Sequence, residues 1–270
     1  CYGRMYPERV DDIAWENDRG AYRCYGPALQ ASGEQAFGND VWVKNTPDLV
    51  VESRYHNELV NKLSYHVDRG YGLDCYKVGP TLGCGTPAII EGDNIRFPYC
   101  WTAYEILDNG PLRFTVRLDY GANGEHRIMS LDKGSNFNKM TVWYDAITTP
   151  VDVASGVVIH TEDTESVVLG KDYVQYADPT DNPKNQNFQI YVAAIFPDGV
   201  DATRKVMYQN PVRGNAGHAL GIKKGLQPNE KFTYYFGSSW SKYDCRNQKE
   251  WQMRIDNFKL ALAQPLEIIL

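Results

Sequence analysis

The sequence predicts an all-β protein with a single amphipathic helix near its C-terminus. Three observations carry that expectation. First, Arg113–Tyr120 alternates without exception: Phe114, Val116, Leu118 and Tyr120 face one way, Arg113, Thr115, Arg117 and Asp119 the other. Period two is the mark of a half-buried strand. Second, turn signals such as DNGP at Asp108–Pro111 and GANG at Gly121–Gly124 cut the chain into short strand-like runs. Third, the one convincing helical stripe comes late. Trp251, Ile255, Phe258 and Leu262 recur at spacings of four, three and four within Arg246–Ala263.

The elements follow in order. Residues 1–14 are polar, carry clustered charges (PERVDD) and read as a leading segment. Glu16-Asn17-Asp18 forms a turn. Ala21, Arg23 and Tyr25 then alternate with Tyr22, Cys24 and Gly26 as a strand would, until Pro27 ends it. Leu49–Arg54 has strand character, and His56–Lys62 suits one helical turn. Leu63–Val67 and Asp74–Val78 read as strand pieces flanking a turn in which Gly70 and Gly72 bracket Tyr71. Strands are expected at Ala88–Ile90, Ile95–Tyr99, Tyr104–Leu107, His126–Leu131 and Lys139–Asp145. Val157–His160 and Ser166–Leu169 read as a hairpin around TEDTE. Tyr173–Tyr176, Phe188–Phe196, Lys205–Tyr208, His218–Ile222 and Lys231–Phe236 complete the series, with a Pro/Asn-rich surface loop over 178–187 and a last strand in QPLEIIL. No repeat and no linker divides the chain, so one domain over 1–270 is expected.

Composition narrows the function classes. The 270 residues are 43% hydrophobic and 13% aromatic, with nineteen tyrosines and six tryptophans. Half-polar aromatic faces suit sugar rings, although Tyr also favours strands. A net charge of −6 without any basic run argues against nucleic acid and anionic membranes. No apolar run approaches the roughly 18 residues of a membrane-spanning helix. The six cysteines fit no Cys-x-x-Cys zinc spacing and most sit in apolar, strand-like text. They read as buried thiols with room for one disulfide. No metal or cofactor is expected. The acidic loops Thr161–Glu165 and Asp178–Asn182 have the oxygen ligands calcium needs, but solvated turns have the same composition. Cys1 would suit a lipid-acceptor residue, though structured-looking text follows it at once.

The richest stretch for chemistry is Arg54–Gly85. It holds His56, His66, Asp68, Asp74, Tyr65, Tyr71 and Tyr76. On a strand, His66 and Asp68 would share a face, and the carboxylate could fix the imidazole tautomer. Asp74 and Tyr76 repeat that spacing beyond the glycine turn. The competing reading is a hydrogen-bonded turn with a buried histidine. Arg23, inside an aromatic strand, needs a carboxylate partner or an anion. In the bland case Asp74 pairs with it in the core and His66 donates to a backbone carbonyl. Trp15 reads more readily as a core anchor than as a site residue, and His126 as an exposed strand residue beside a turn.

The motifs WENDRGAYRCYGPAL, SYHVDRGYGLDCYKVGPTLGCG, LDNGPLRFTVRLDY, LDKGSNFNKMTVWY and FGSSWSK resemble, in order and from about Arg4 to Phe258, a bacterial family known as domain of unknown function family 4861. The resemblance implies a galactose-mutarotase-like fold, a two-sheet antiparallel supersandwich. It also implies a place among polysaccharide-utilisation proteins, with a periplasmic or cell-surface location. Some such proteins act as dehydratases on uronic-acid-ended oligosaccharides and leave a 4,5-unsaturated sugar. That lyase chemistry is the expectation. A glycoside hydrolase or mutarotase on the same fold and a non-catalytic glycan-binding protein are the alternatives. The expected catalytic residues are His66, Asp68, Asp74 and Tyr76. Trp15 and Trp240 are expected to stack on the sugar and Arg23 or Arg54 to hold its carboxylate, with Asn17, Tyr55 and Lys242 as further contacts.

Overall fold

The computed structural model describes residues 1–181 and 187–265. The chain opens with β1 (Tyr2–Tyr6), β2 (Asp12–Glu16), β3 (Gly20–Cys24), the short α1 (Pro27–Ala31), β4 (Asp40–Val43), α2 (Val51–Leu59) and β5 (Leu73–Asp74). It continues through β6 (Ala88–Glu91), β7 (Asn94–Arg96), β8 (Trp101–Asn109), β9 (Arg113–Tyr120), β10 (Glu125–Asp132), β11 (Phe137–Tyr144) and β12 (Val151–His160). Then come β13 (Val167–Leu169), β14 (Tyr173–Asp178), β15 (Ile190–Ile195), β16 (Ala202–Val212), β17 (Asn215–Leu226), β18 (Phe232–Trp240) and α3 (Gln248–Ala263).

These strands make an antiparallel sandwich. One layer is an eight-stranded sheet in the order β13-β14-β15-β18-β11-β10-β9-β8. The other holds two five-stranded sheets, β1-β2-β3-β4-β5 and β16-β17-β12-β6-β7. The segment around Gly83 and Cys84 joins those two, bridging Asn39 on one side and Val157 on the other. The inner faces alternate as their sequences dictate. Ile13 and Trp15 of β2, Tyr22 and Cys24 of β3, and Phe114, Val116 and Leu118 of β9 meet in one apolar core. Gly85 is needed within it. Its φ is +76°, and a Cβ there would lie 2.0 Å from the Phe236 ring.

α3 starts two residues later than its apolar stripe suggested. Asn247 Oδ1 accepts the Glu250 N–H at 3.0 Å, and the Glu250 carboxylate accepts the Arg246 N–H at 2.8 Å, so both ends of the first turn are satisfied. Trp251 stacks on Phe137 with ring centroids 5.1 Å apart. Burying side chains of this size contributes about 2–3 kcal/mol each.

Several expectations change. Residues 1–14 are not a leading segment: β1 and β2 pair with each other there. Leu49–Arg54 is helical from Val51, because the Glu16 carboxylate accepts the Val50 and Val51 N–H groups at 2.8 and 2.7 Å and supplies a cap from another element. Val157–His160 and Ser166–Leu169 do not pair; β12 pairs with β17 and β6, and β13 with β14. All six cysteines are free, with Cys24, Cys75, Cys84 and Cys245 buried. Asp163 ties its own loop, accepting from the Glu165 and Ser166 N–H groups. The strand expected in QPLEIIL and the loop over 182–186 lie outside the described residues.

Candidate functional site

β2, β3, β4 and β5 present their even-numbered and odd-numbered residues to opposite faces, and the set facing away from the main core mixes charged residues with Ala14, Ala21 and Trp42. Asp12, Arg23, Asp40 and Asp74 project there, roofed by α2 and by Tyr65. Arg23 donates to Asp40 Oδ2 through Nε at 2.9 Å and Nη2 at 2.5 Å, and reaches Asp74 Oδ2 at 3.0 Å. Asp12 stands 3.7 Å away. One guanidinium thus faces three buried carboxylates. Burial pushes Asp74 up to about 7, with Asp40 adding to the rise and Arg23 opposing it. Burial likewise pushes Asp12 up to about 6 against the pull of Arg23. The cluster therefore holds a proton near neutral pH.

The expected hairpin over this cluster does not form. Residues 63–72 fold as a loop, and only Leu73–Asp74 joins the sheet, beside Val43 and Trp42. The loop is bent so that Tyr65 stacks on Trp42 at 4.7 Å and its hydroxyl accepts from Arg9 and Arg23. That turns His66 outward. Its Nδ1 lies 3.0 Å from the Asp74 main-chain oxygen and 3.7 Å from Asp74 Oδ2. A carbonyl only accepts, so in the neutral imidazole Nδ1 carries the proton and Nε2 the lone pair. Asp68 does not steady His66. Its Oδ1 accepts the Gly70 and Gly72 N–H groups at 2.9 and 3.0 Å, and its Oδ2 pairs with Lys242. Burial pushes the Asp68 carboxyl up, but Lys242 and those two amides pull it below the usual range.

His66, Asp68 and Lys242 meet at a cavity of about 330 Å³, whose other walls are Val67, Leu73, Asn187, Phe188 and Trp240. That is the size of small-ligand clefts. Trp240 donates its indole N–H to the Asn187 carbonyl at 2.8 Å, which fixes the ring. The Lys242 ammonium lies 5.4 Å from the Trp240 ring centre and 5.5 Å from that of Phe188. The cavity thus combines an aromatic wall, a positioned cation and an imidazole with a free basic nitrogen. A larger recess of about 490 Å³ borders β6, β7 and β12. Its Glu91 and Arg96 are spent on each other and more than half exposed, and the remaining charge in its lining, Asp152, is a carboxylate held by the Gly225 N–H at 2.9 Å, so it offers an anionic sugar no free cation.

Of the residues singled out by sequence, His66, Asp68, Trp240 and Lys242 line the cavity, and Asp74 lies directly beneath His66. The others stand elsewhere. Trp15 shares the inner face with Ile13, and its indole donates to Asn138 at 2.7 Å within the core. Tyr76 is 4% exposed in that same core. Asn17 closes the β2–β3 turn, accepting from Arg19 and Gly20. Tyr55 packs under Tyr6 and donates to Asp12. Arg23 is locked in the carboxylate cluster, and Arg54 is buried behind the Gly70–Leu73 segment. Asn187 and Phe188 were not anticipated. Phe188 was expected to open a strand, but the strand starts at Ile190 and leaves Phe188 exposed, which no local pattern signalled. His126 is held between Asp119 and Asp145, outside the cavity.

Comparison with known proteins places the chain. Uncharacterized protein P7 of Formosa agariphila is 28% identical to it over 287 residues, covering 99% of this chain and 69% of that protein. The crystal structure of YidC from Thermotoga maritima aligns with a TM-score of 0.38 and 10% identity, over 94% of this chain. The chain spans 57% of that structure's length, and so loose a likeness bears on neither fold nor function. Residues 2–268 match the domain of unknown function DUF4861, nearly the whole chain, and the protein belongs to that family.

Proposed function

We propose that the protein is a carbohydrate-active lyase that removes water from uronic-acid-ended oligosaccharides at the His66 cavity. The observation that carries this reading is the His66 tautomer. With Nδ1–H given to the Asp74 carbonyl, Nε2 is a free base beside an aromatic wall and a fixed ammonium. The sugar ring stacks on Trp240 and Phe188, and its carboxylate pairs with Lys242. His66 Nε2 takes the C5 proton. The electron pair moves onto the carboxylate as an enolate, which Lys242 neutralises. The pair then returns to form the C4–C5 double bond as the C4–O bond breaks. The same His66 gives its proton to the departing oxygen, which leaves as water. One group serves twice because the tyrosines that could have supplied a second, Tyr76 and Tyr65, are both spent. Tyr76 is in the core, and the Tyr65 hydroxyl is held by Arg9 and Arg23.

The test is incubation with a panel of uronic-acid-ended oligosaccharides, read by mass spectrometry and ultraviolet absorbance. A product lighter by one water that absorbs as a conjugated acid is the expected result. A product heavier by one water would replace this reading with hydrolysis. Saturable binding without any product would make the protein a glycan-binding module.

A further inference from the structure

Among the described residues, Arg54 is a fully buried cation with no ion-pair partner. It is 1% exposed. Its Nη2 donates to the main-chain oxygens of Val43 at 2.9 Å and Tyr71 at 2.8 Å. Its Nε and Nη1 have no hydrogen-bond partner among the described residues, and no carboxylate pairs with it there. Glu16, Asp74 and Asp68 act on it from a distance, but each is spent on a closer cation, Lys44, Arg23 and Lys242 in turn. Its other neighbours include the Trp42 and Tyr71 rings, whose centres lie 5.7 and 5.6 Å from Arg54 Cζ. Burial lowers the Arg54 guanidinium to about 10, so it remains a cation at neutral pH. A buried cation without a counter-ion is expensive and rare. Its place gives the reason. The Gly72 backbone lies against it, since a Cβ at Gly72 would sit 2.8 Å from Arg54 Nη2. The next residue, Leu73, is a wall of the His66 cavity. Within the cavity itself the Asp68 carboxylate offsets the Lys242 ammonium.

We infer that Arg54 sets the charge of the ligand this cavity accepts, acting through the Gly72–Leu73 wall as a fixed positive source that selects an anionic sugar over its neutral counterpart. The inference rests on the uronate reading above and names what enforces it. Arg54 touches no ligand. It acts by its field and by holding the segment that carries Asp68 and Leu73. A unit charge about 10 Å away at an effective dielectric near 20 changes affinity on the order of tenfold.

The experiment measures binding of D-glucuronate and D-glucose by ligand-observed NMR at low salt, in the wild type, Arg54→Gln, Arg54→Lys and Lys242→Met. Gln keeps a donor for the Tyr71 carbonyl but no charge; Lys keeps the charge. Wild type should prefer glucuronate, Arg54→Lys should keep that preference, and Arg54→Gln should lose about tenfold of it. The Lys242 side chain is 36% exposed, so Lys242→Met should fold as the wild type does. It should retain a reduced but measurable preference, supplied by Arg54. If Arg54→Gln discriminates as well as wild type, or Lys242→Met discriminates not at all, the role of Arg54 is refuted while the uronate reading stands. If the wild type binds neither sugar, or binds both equally, the uronate reading itself falls and takes this inference with it.

Discussion

Asp68 and Lys242, 174 positions apart in the chain, form an ion pair on the wall of the His66 cavity. The pair is partly solvated, with 21% and 36% of the two side chains exposed. Such pairs contribute about 0–1 kcal/mol to stability. Asp68→Asn keeps the acceptor for Gly70 and Gly72 and removes the charge. Its unfolding free energy should stay within about 1 kcal/mol of wild type. With Lys242 released, glucuronate should bind more tightly, by at least about threefold at low salt. Titration calorimetry or NMR checks this; weaker binding would show that Asp68 positions Lys242 rather than competing for it.

His66→Ala should separate function from fold. Its side chain is 55% exposed, so little packing is lost and the melting temperature should hold within a few degrees. Turnover of the uronate oligosaccharide should fall by about 10²–10⁴-fold, the scale of one general acid–base group. Substrate affinity should change far less. An unchanged rate would remove His66 from the chemistry.

Arg23→Met should be severe. It leaves Asp12, Asp40 and Asp74 buried without the cation that serves all three. Removing one partner of a buried ionic group costs about 3–5 kcal/mol. Urea unfolding should show that loss at neutral pH. It should be smaller near pH 4, where the carboxyls take up protons.

The same cluster sets a pH dependence. Asp74 is raised to about 7 and Asp12 to about 6 in the folded protein, against an ordinary 3.8. Between those values the native state binds more protons than the unfolded chain, so these two groups lower stability as pH rises from about 4 to about 7. Above that window the loss is complete. Carboxylates with lowered values, such as Asp68 and Glu52, act oppositely at lower pH. Asp74→Asn removes one titrating group. The melting temperature of wild type relative to Asp74→Asn should therefore decline across that window. A flat difference would mean that Asp74 is ionised throughout.

The strands legible in the sequence are those with one wet and one dry face. β9 alternates residue by residue, and its ends match the expected ones. α3 was legible from the stripe through Trp251 and Ile255. What escaped depended on distant partners. No local signal tells Val51 that Glu16 will cap its helix. The 63–67 segment has strand-like residues, yet Tyr65 is worth more as a lid over Trp42 and Arg23 than as a strand residue. The site was legible in part for the same reason. His66 and Asp68 sit in a stretch dense with polar and glycine residues, but their partners are set by the loop and not by strand alternation. Trp15 was the avoidable error: it shares parity with Ile13, which points into the core.

The join between the two five-stranded sheets has a consequence for how the molecule breathes. It is one residue-pair wide on each side. Cys84 donates to the Asn39 carbonyl at 2.9 Å, Gly85 to Gly156 at 2.7 Å, and Val158 to Gly83 at 3.0 Å. The β2–β3, β3–β4, β12–β17 and β16–β17 ladders are four or more residue pairs long and must open together. Here three ladder amides, with Asn39 N–H on Thr86 Oγ1 at 2.7 Å and Leu82 N–H on His218 Nε2 at 3.1 Å beside them, hold the seam, so the layer should part along its midline at lower cost than those central ladders come apart. In hydrogen exchange the Cys84, Gly85 and Val158 amides should lose protection together, and earlier than their complete burial alone would suggest. That joint loss would mark the half carrying the Arg23 cluster and the half built on β12 and β17 as two panels on a shared hinge.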